Sequence, residues 1–184
     1  MIELRDVNDG DVERLFAWRL DREVDRWMNG PAPTDVAVYR AWLDEFRSDP
    51  DRTGWIILHR GEAVGFLTLR GLIEPNQAAQ WGWYVGEASA RGRGVGRGAQ
   101  ALGLDRAFLD FGLQKVWSEV LADNDAALKA QAAAGFRREG YLRRHVFKDG
   151  KFHDVVLLSI LAEEWRGTRE AVLSGLGKSG MVKP

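Results

Sequence analysis

Residues 91–98 read RGRGVGRG, four glycines and three arginines in eight positions. No helix or strand interior is written this way, because glycine gives up the most backbone entropy on ordering. The run WGWYVG at 81–86, with strand character, comes just before it. A helical pattern comes just after, from Val95 to about Phe111, with Ala99, Leu102, Ala107, Phe108 and Phe111 at helical spacing. The stretch therefore sits where a strand ends and a helix begins. A helix start has free N–H groups and a partial positive charge. Glycines let the backbone approach an anion closely, and the arginines add formal charge. Together these features describe a phosphate cradle.

Two familiar cradles fail on residues. A Walker A loop needs Gly-Lys-Ser/Thr at the helix start, and here Gly96 is followed by Arg97-Gly98. A dinucleotide fingerprint needs G-x-G-x-x-G after the first strand of a βαβ unit. Gly92 and Gly94 have no glycine partner at 97, and the flanking strands read as hairpins.

Outward from the loop, seven strands are expected: Ile2–Arg5, Trp55–His59, Ala63–Leu69, Gln80–Gly86, Lys115–Ala122, Tyr141–Lys148 and Phe152–Ile160. Four helices are expected between them. Asn8 or Asp9 caps one through about Leu20, and Thr34 or Asp35 caps VAVYRAWLDEF. Val95 opens the third, and Asp123 or Asn124 caps the fourth, which ends at Gly135. Asp149-Gly150 closes the last hairpin. The order β-α-α-β-β-β-α-β-α-β-β predicts an α+β domain around a mostly antiparallel sheet. That domain is expected over residues 1–166, with 167–184 as a polar, glycine-rich, partly ordered tail.

Composition narrows the classes. The chain has 184 residues, 45% hydrophobic and 29% charged, with a formal net charge of −1. This reads as a soluble globular protein, and the balance argues against a general nucleic-acid binder. There is no cysteine, and the three histidines are dispersed, so no metal site is expected. No signal-peptide core and no membrane-length apolar run is present, so a cytoplasmic location is expected. Eight tryptophans exceed what the core needs and suit a site for a flat or amphipathic ligand.

Arg91-x-x-Gly94-x-Gly96 after WGWYVG resembles the acetyl-CoA pyrophosphate loop of the GNAT family of N-acetyltransferases. The resemblance runs from about Ile2 to Trp165. A second mark follows in order: Asn124, Ala127 and Gly135-Phe136. Further stretches are similar to one branch of that family: Asp25-Arg26-Trp27-Met28, Tyr39-x-x-Trp42, Arg138 to Arg143, and Gly150 to Val155. That branch comprises nucleotide-sugar acetyltransferases of pseudaminic acid synthesis, which serve flagellin glycosylation. They acetylate the 4-amino group of UDP-4-amino-4,6-dideoxy-N-acetyl-altrosamine. The marks from Glu139 and from Gly150 onward are shared with acetyltransferases of ribosomal protein N-termini and of polyamines.

The resemblance implies acetyl-CoA as cosubstrate and a small-molecule amine, with no nucleic acid and no membrane partner. It implies acetyl-CoA contacts from Tyr84, Val85 and Gly86, from Arg91, Gly92, Arg93, Gly94, Val95, Gly96, Arg97 and Gly98, and from Asn124 and Lys129. Glu119 is the expected general base, since the amine must be uncharged to attack. Its place among Trp117 and Leu121 on one strand face is unusual for a carboxylate; the plainer reading is an edge glutamate paired with an arginine. Thr68 could hold a water, or simply favour a strand. Family members usually carry a tyrosine acid where this chain has Gln131. A thiol with a pKa of about 8.5 leaves tolerably without an acid. Arg26, Trp27, Tyr39 and Arg70 are the expected contacts for the UDP group, while Trp27 and Trp42 suit core packing equally. Monomer and homodimer both fit. An RNA-binding module built on RGRGVGRG is the reading from another class.

Overall fold

The computed structural model describes residues 1–182. Seven strands form one sheet: β1 (Ile2–Asp6), β2 (Arg52–His59), β3 (Glu62–Arg70), β4 (Ala78–Val85), β5 (Lys115–Leu121), β6 (Arg137–Lys148) and β7 (Lys151–Leu161). Their spatial order is β1-β2-β3-β4-β5-β7-β6. Every neighbouring pair is antiparallel except β4 and β5. A parallel pair cannot be joined by a tight turn. Here α4 (Val95–Asp105) makes the crossover, running on as a π-helical turn over Arg106–Asp110.

Helix α4 lies close against the sheet because it carries glycines. A Cβ on Gly98 would lie 3.0 Å from Ile2, and one on Gly103 would lie 2.7 Å from Leu67. Helix α5 (Asp125–Ala133) joins α4 on this face, capped by the Asn124 side chain, which accepts the Ala127 N–H. The opposite face is covered by α1 (Val12–Leu20), the short α2 (Arg22–Asp25) and α3 (Val36–Ser48). Alternation along β2 and β3 serves both layers. Trp55, Ile57, Leu67 and Leu69 pack toward α4, while Ile56 and Phe66 pack with Leu15, Tyr39, Leu43 and Phe46. No helix among the described residues is long and apolar enough to cross a membrane.

The α+β class, the seven strands and their order match expectation. Two helices were not foreseen. The four-residue α2 follows an Asp21 cap that offers no periodicity to read. The second, α6 (Ala162–Lys178), occupies most of the expected tail. Its sequence is polar and glycine-bearing, but tertiary contacts override that local weakness. Trp165 donates to Asp105 at 2.9 Å, Arg169 makes two bonds to the same carboxylate, and Leu176 is buried. Beyond it Val182 is buried and the Met181 carbonyl accepts the Ile2 N–H.

Leu176→Ala is therefore expected to lower stability by about 2–5 kcal/mol, as for other buried leucines. A disordered tail would give no change. Urea unfolding midpoints of the two proteins decide between them.

Candidate active site

The parallel pair β4–β5 is short. Only Ala78–Gln80 and Lys115–Trp117 are paired. Beyond them Trp81–Val85 and Ser118–Leu121 run on without facing partners, so the strands open into a fork. Backbone N–H and C=O groups along a fork are unpaired and available. Side chains hold it open on the α4 side. Trp81 stacks on Phe136 with centroids 4.9 Å apart, and the Trp83 ring occupies the space where a Gly96 Cβ would stand, 2.8 Å away. At the end of β4, Gly86 leaves room for the Trp18 ring, which a Cβ there would strike at 2.2 Å.

The glycine-arginine loop closes the mouth of the fork at the start of α4. Gly92 and Gly94 have φ of +72° and +80°, the left-handed region that suits glycine. Gly94 is the N-cap, and no side chain caps the helix. The N–H groups of Val95, Gly96 and Arg97 have no backbone partner among the described residues, and the ladder begins with Gly98 bonding back to Gly94. Arg93 and Arg97 are exposed and make no ion pair among the described residues. Unpaired N–H groups and a helix N-terminus of this kind suit a negative charge.

Several loop residues also have packing roles. Arg91 is turned toward the protein. Its guanidinium turns inward to the carbonyls of Val85 and Gly86 at 3.0 and 2.7 Å and to Asp21 at 2.8 Å. That hydrogen bond holds the Asp21 carboxyl below its ordinary range. Gly96 and Gly98 are bare for helix-on-sheet packing, against Trp83 and Ile2. The missing side chain of Gly94 would point at Met181, 3.2 Å away. Val95 buries its side chain and offers only its N–H.

Thr68 and Glu119, expected to serve the chemistry, lie on the α1–α3 side. Thr68 and Gly82 are register partners, and the Thr68 hydroxyl donates to the Gly82 carbonyl at 3.3 Å. Glu119 projects from the open part of β5, half-buried. Its carboxylate accepts from the Asn29 amide at 3.4 Å and lies 3.9 Å from His145 Nε2. No arginine among the described residues pairs with it. Asn29 is kept there by Lys148, a buried lysine that grips the Met28 carbonyl at 3.0 Å and the Asp25 carboxylate at 3.2 Å. Gln131 is buried and accepts the Ser118 hydroxyl at 2.6 Å, so its carbonyl is already used to tie α5 to β5. Asn124 spends its side-chain oxygen on the α5 cap, leaving its NH₂ free for a ligand. Lys129 is exposed on α5.

A model of the GNAT acetyltransferase domain matches residues 2–137. The chain belongs to the GNAT acetyltransferases. It is 25% identical to an uncharacterized N-acetyltransferase of Bacillus licheniformis, covering 90% of this chain and 96% of that one. It is 26% identical to a provisionally named ribosomal N-acetyltransferase of Bacillus subtilis, covering 91% and 95%. In fold it is similar to the spermidine N-acetyltransferase of Vibrio cholerae bound to CoA and spermine, with a TM-score of 0.84 at 19% identity over 90% of this chain and 98% of that chain. The GNAT acetyl donor is acetyl-CoA.

The expected acceptor residues of this GNAT domain do not all reach the site. Tyr39 is core, set between Phe16 and Trp42 with its hydroxyl beside Tyr84. Trp42 is partly exposed rather than buried. Arg26 lies over the half-buried Trp27 ring at 4.6 Å, and Arg70 donates to Gln80 at 2.6 Å. Gln80 is the partner of Trp117, so Arg70, Gln80 and Trp117 form a row across the sheet floor. Asn29, His145 and Lys148 were not foreseen. Asn29 lies outside any helix or strand, and His145 arrives through a bulge that strand periodicity does not announce.

Burial pushes the Tyr39 hydroxyl up to about 12 and raises that of Tyr84 well above its ordinary value. Raised phenols stabilise the fold fully below the unfolded value near 10. That stability is lost as pH rises through the folded value. The GNAT domain is expected to lose stability between about pH 10 and 12, and Tyr39→Phe should flatten the slope. Urea midpoints across that range measure it.

Proposed function

We propose that the chain moves the acetyl group of acetyl-CoA onto a primary amine, with Glu119 as the general base. The observation that carries this is the isolation of the Glu119 carboxylate at the open fork. Four other carboxylates are committed: Asp25 to Lys148, Asp154 to Tyr141 and Arg144, Glu139 to Lys115 and Ser159, and Asp21 to Arg91. Among the described residues Glu119 has only the Asn29 amide and the nearby imidazole.

Acetyl-CoA supplies an activated thioester carbonyl. The N–H groups of Val95, Gly96 and Arg97, with the Arg93 and Arg97 guanidiniums, suit its diphosphate, and the free Asn124 NH₂ suits its pantetheine arm. Of the amides of Tyr84, Val85 and Gly86, those turned away from β3 suit the oxygen that gains charge. Glu119 takes the amine proton as the C–N bond forms. The C–S bond breaks, and the sulfur keeps the electron pair. Gln131 gives no proton, so the thiolate leaves unaided; much of the rate comes from holding the reactants together.

For the acceptor, the carboxylates' commitments favour an amine that carries negative charge over a polycation. Arg26, Arg70 and Arg143 supply cations on this side, with Trp27 and Trp117 as flat surfaces. A UDP-linked 4-amino-4,6-dideoxy sugar, as in pseudaminic acid synthesis for flagellin glycosylation, has these features, and such metabolites place the enzyme in the cytoplasm. A second reading is a ribosomal protein N-terminus, favoured by the full-length likeness to the Bacillus subtilis relative. An RNA module is disfavoured, because the glycine-arginine loop is packed into a helix start.

Thiol release from acetyl-CoA against UDP-amino sugars, N-terminal peptides and polyamines separates the acceptors. With the best amine, Glu119→Ala is expected to lose roughly 10²–10⁴-fold in turnover, while calorimetry gives a CoA Kd within a few-fold of the parent. Undiminished turnover would remove Glu119 from the chemistry.

A further inference from the structure

Strand β6 carries a large bulge. Leu142 pairs with Val155 and Val146 with His153, so Arg143, Arg144 and His145 all face the single residue Asp154. Most bulges add one residue. Arg144 has φ of +53°, unfavourable for a side chain that bulky. The irregularity is held in place. The Asp154 carboxylate accepts the Arg144 N–H at 2.6 Å and the Tyr141 O–H at 2.7 Å.

The bulge has a use beyond the sheet edge. Strand β7 lies between β5 and β6, so their backbones are separated by two strand spacings, about 10 Å. His145 Nε2 nevertheless stands 3.9 Å from Glu119 Oε1. The Glu119 side chain is 22% exposed and that of His145 is 47% exposed, so the imidazole joins the carboxylate to solvent. The charged and titratable groups around it are Glu119 from β5, Arg143 and Arg144 from β6, Asp154 from β7, and the Tyr141 phenol.

We propose that the β6 bulge is a positioning device that holds His145 against Glu119, so that the imidazole carries away the proton Glu119 removes from the acceptor amine. This rests on the reading of Glu119 as the base. As the amine nitrogen bonds the acetyl carbon, Glu119 gains the proton and the thiolate departs. At 3.9 Å the next step runs through one bridging water. The proton reaches Nε2, and the other ring nitrogen releases one to solvent. Glu119 is a carboxylate again for the next turnover. His145 touches neither substrate and acts through Glu119.

The test is His145→Ala with acetyl-CoA and the best amine of the panel, at fixed ionic strength. The exposed position leaves folding intact, which circular dichroism checks. Turnover is expected to fall on the order of 10–100-fold, below or at the low end of the range for a lost acid–base group, with CoA affinity unchanged. Added imidazole is expected to restore turnover in proportion to its concentration. Parent turnover in His145→Ala overturns the relay, as does a loss that imidazole leaves untouched. A loss in Glu119→Ala together with full turnover in His145→Ala removes the relay alone. Full turnover in Glu119→Ala removes the base itself, and the relay with it.

Discussion

Three residue pairs between β4 and β5 decide the function of this fold. Had the parallel pairing continued, the sheet would be closed and every backbone group there satisfied. Because it stops at Gln80 and Trp117, two strands diverge with unpaired edges at the centre of the molecule, where such edges are costly unless a ligand meets them. The crossover that a parallel pair demands is α4, so its uncapped start falls at the mouth of the same fork. The cradle and the cleft thus have one topological cause.

Charge is distributed by the same economy. Of three arginines in RGRGVGRG, one is structural: Arg91 locks the end of β4 to the turn before α2 through Asp21. The other two remain outside, where an anion can meet them. On the acceptor side most carboxylates are similarly bound into the frame, and the buried Lys148 ties the tip of the β6–β7 hairpin to the residues that carry Asn29. Removing one partner of such a buried pair is costly, since it strands the other's charge. The position of Asn29 is accordingly set by a residue at the far end of the chain.

Much of this was legible in the sequence. Alternation pointed to the strands; of the cap pairs Asn8 or Asp9, Thr34 or Asp35 and Asp123 or Asn124, the side chains of Asn8, Asp35 and Asn124 make the caps; and RGRGVGRG does lie at a strand–helix junction. What was not legible has physical reasons. The interior role of Arg91 depends on where β4 ends in space. The burial of Gln131 depends on Ser118 across a helix–strand contact. The approach of His145 to Glu119 depends on a register shift, and strand pattern carries no signal for an insertion held by a distant carboxylate. Helix α6 was missed because its stability lies in Asp105 and the core rather than in its own composition.

The contact between Met181 and Gly94 has a consequence for the order of events in biosynthesis. A ribosome delivers the glycine-arginine loop about halfway through the message, but the segment that backs it is delivered at residues 180–182. The Met181 carbonyl of that segment also accepts the N–H of Ile2, on the sheet-edge strand β1. A nascent chain halted before Met181 would carry every reactive side chain named above and yet present a cradle without its rear wall. The loop is thus backed only once the Met181 segment has been made, long after the loop itself.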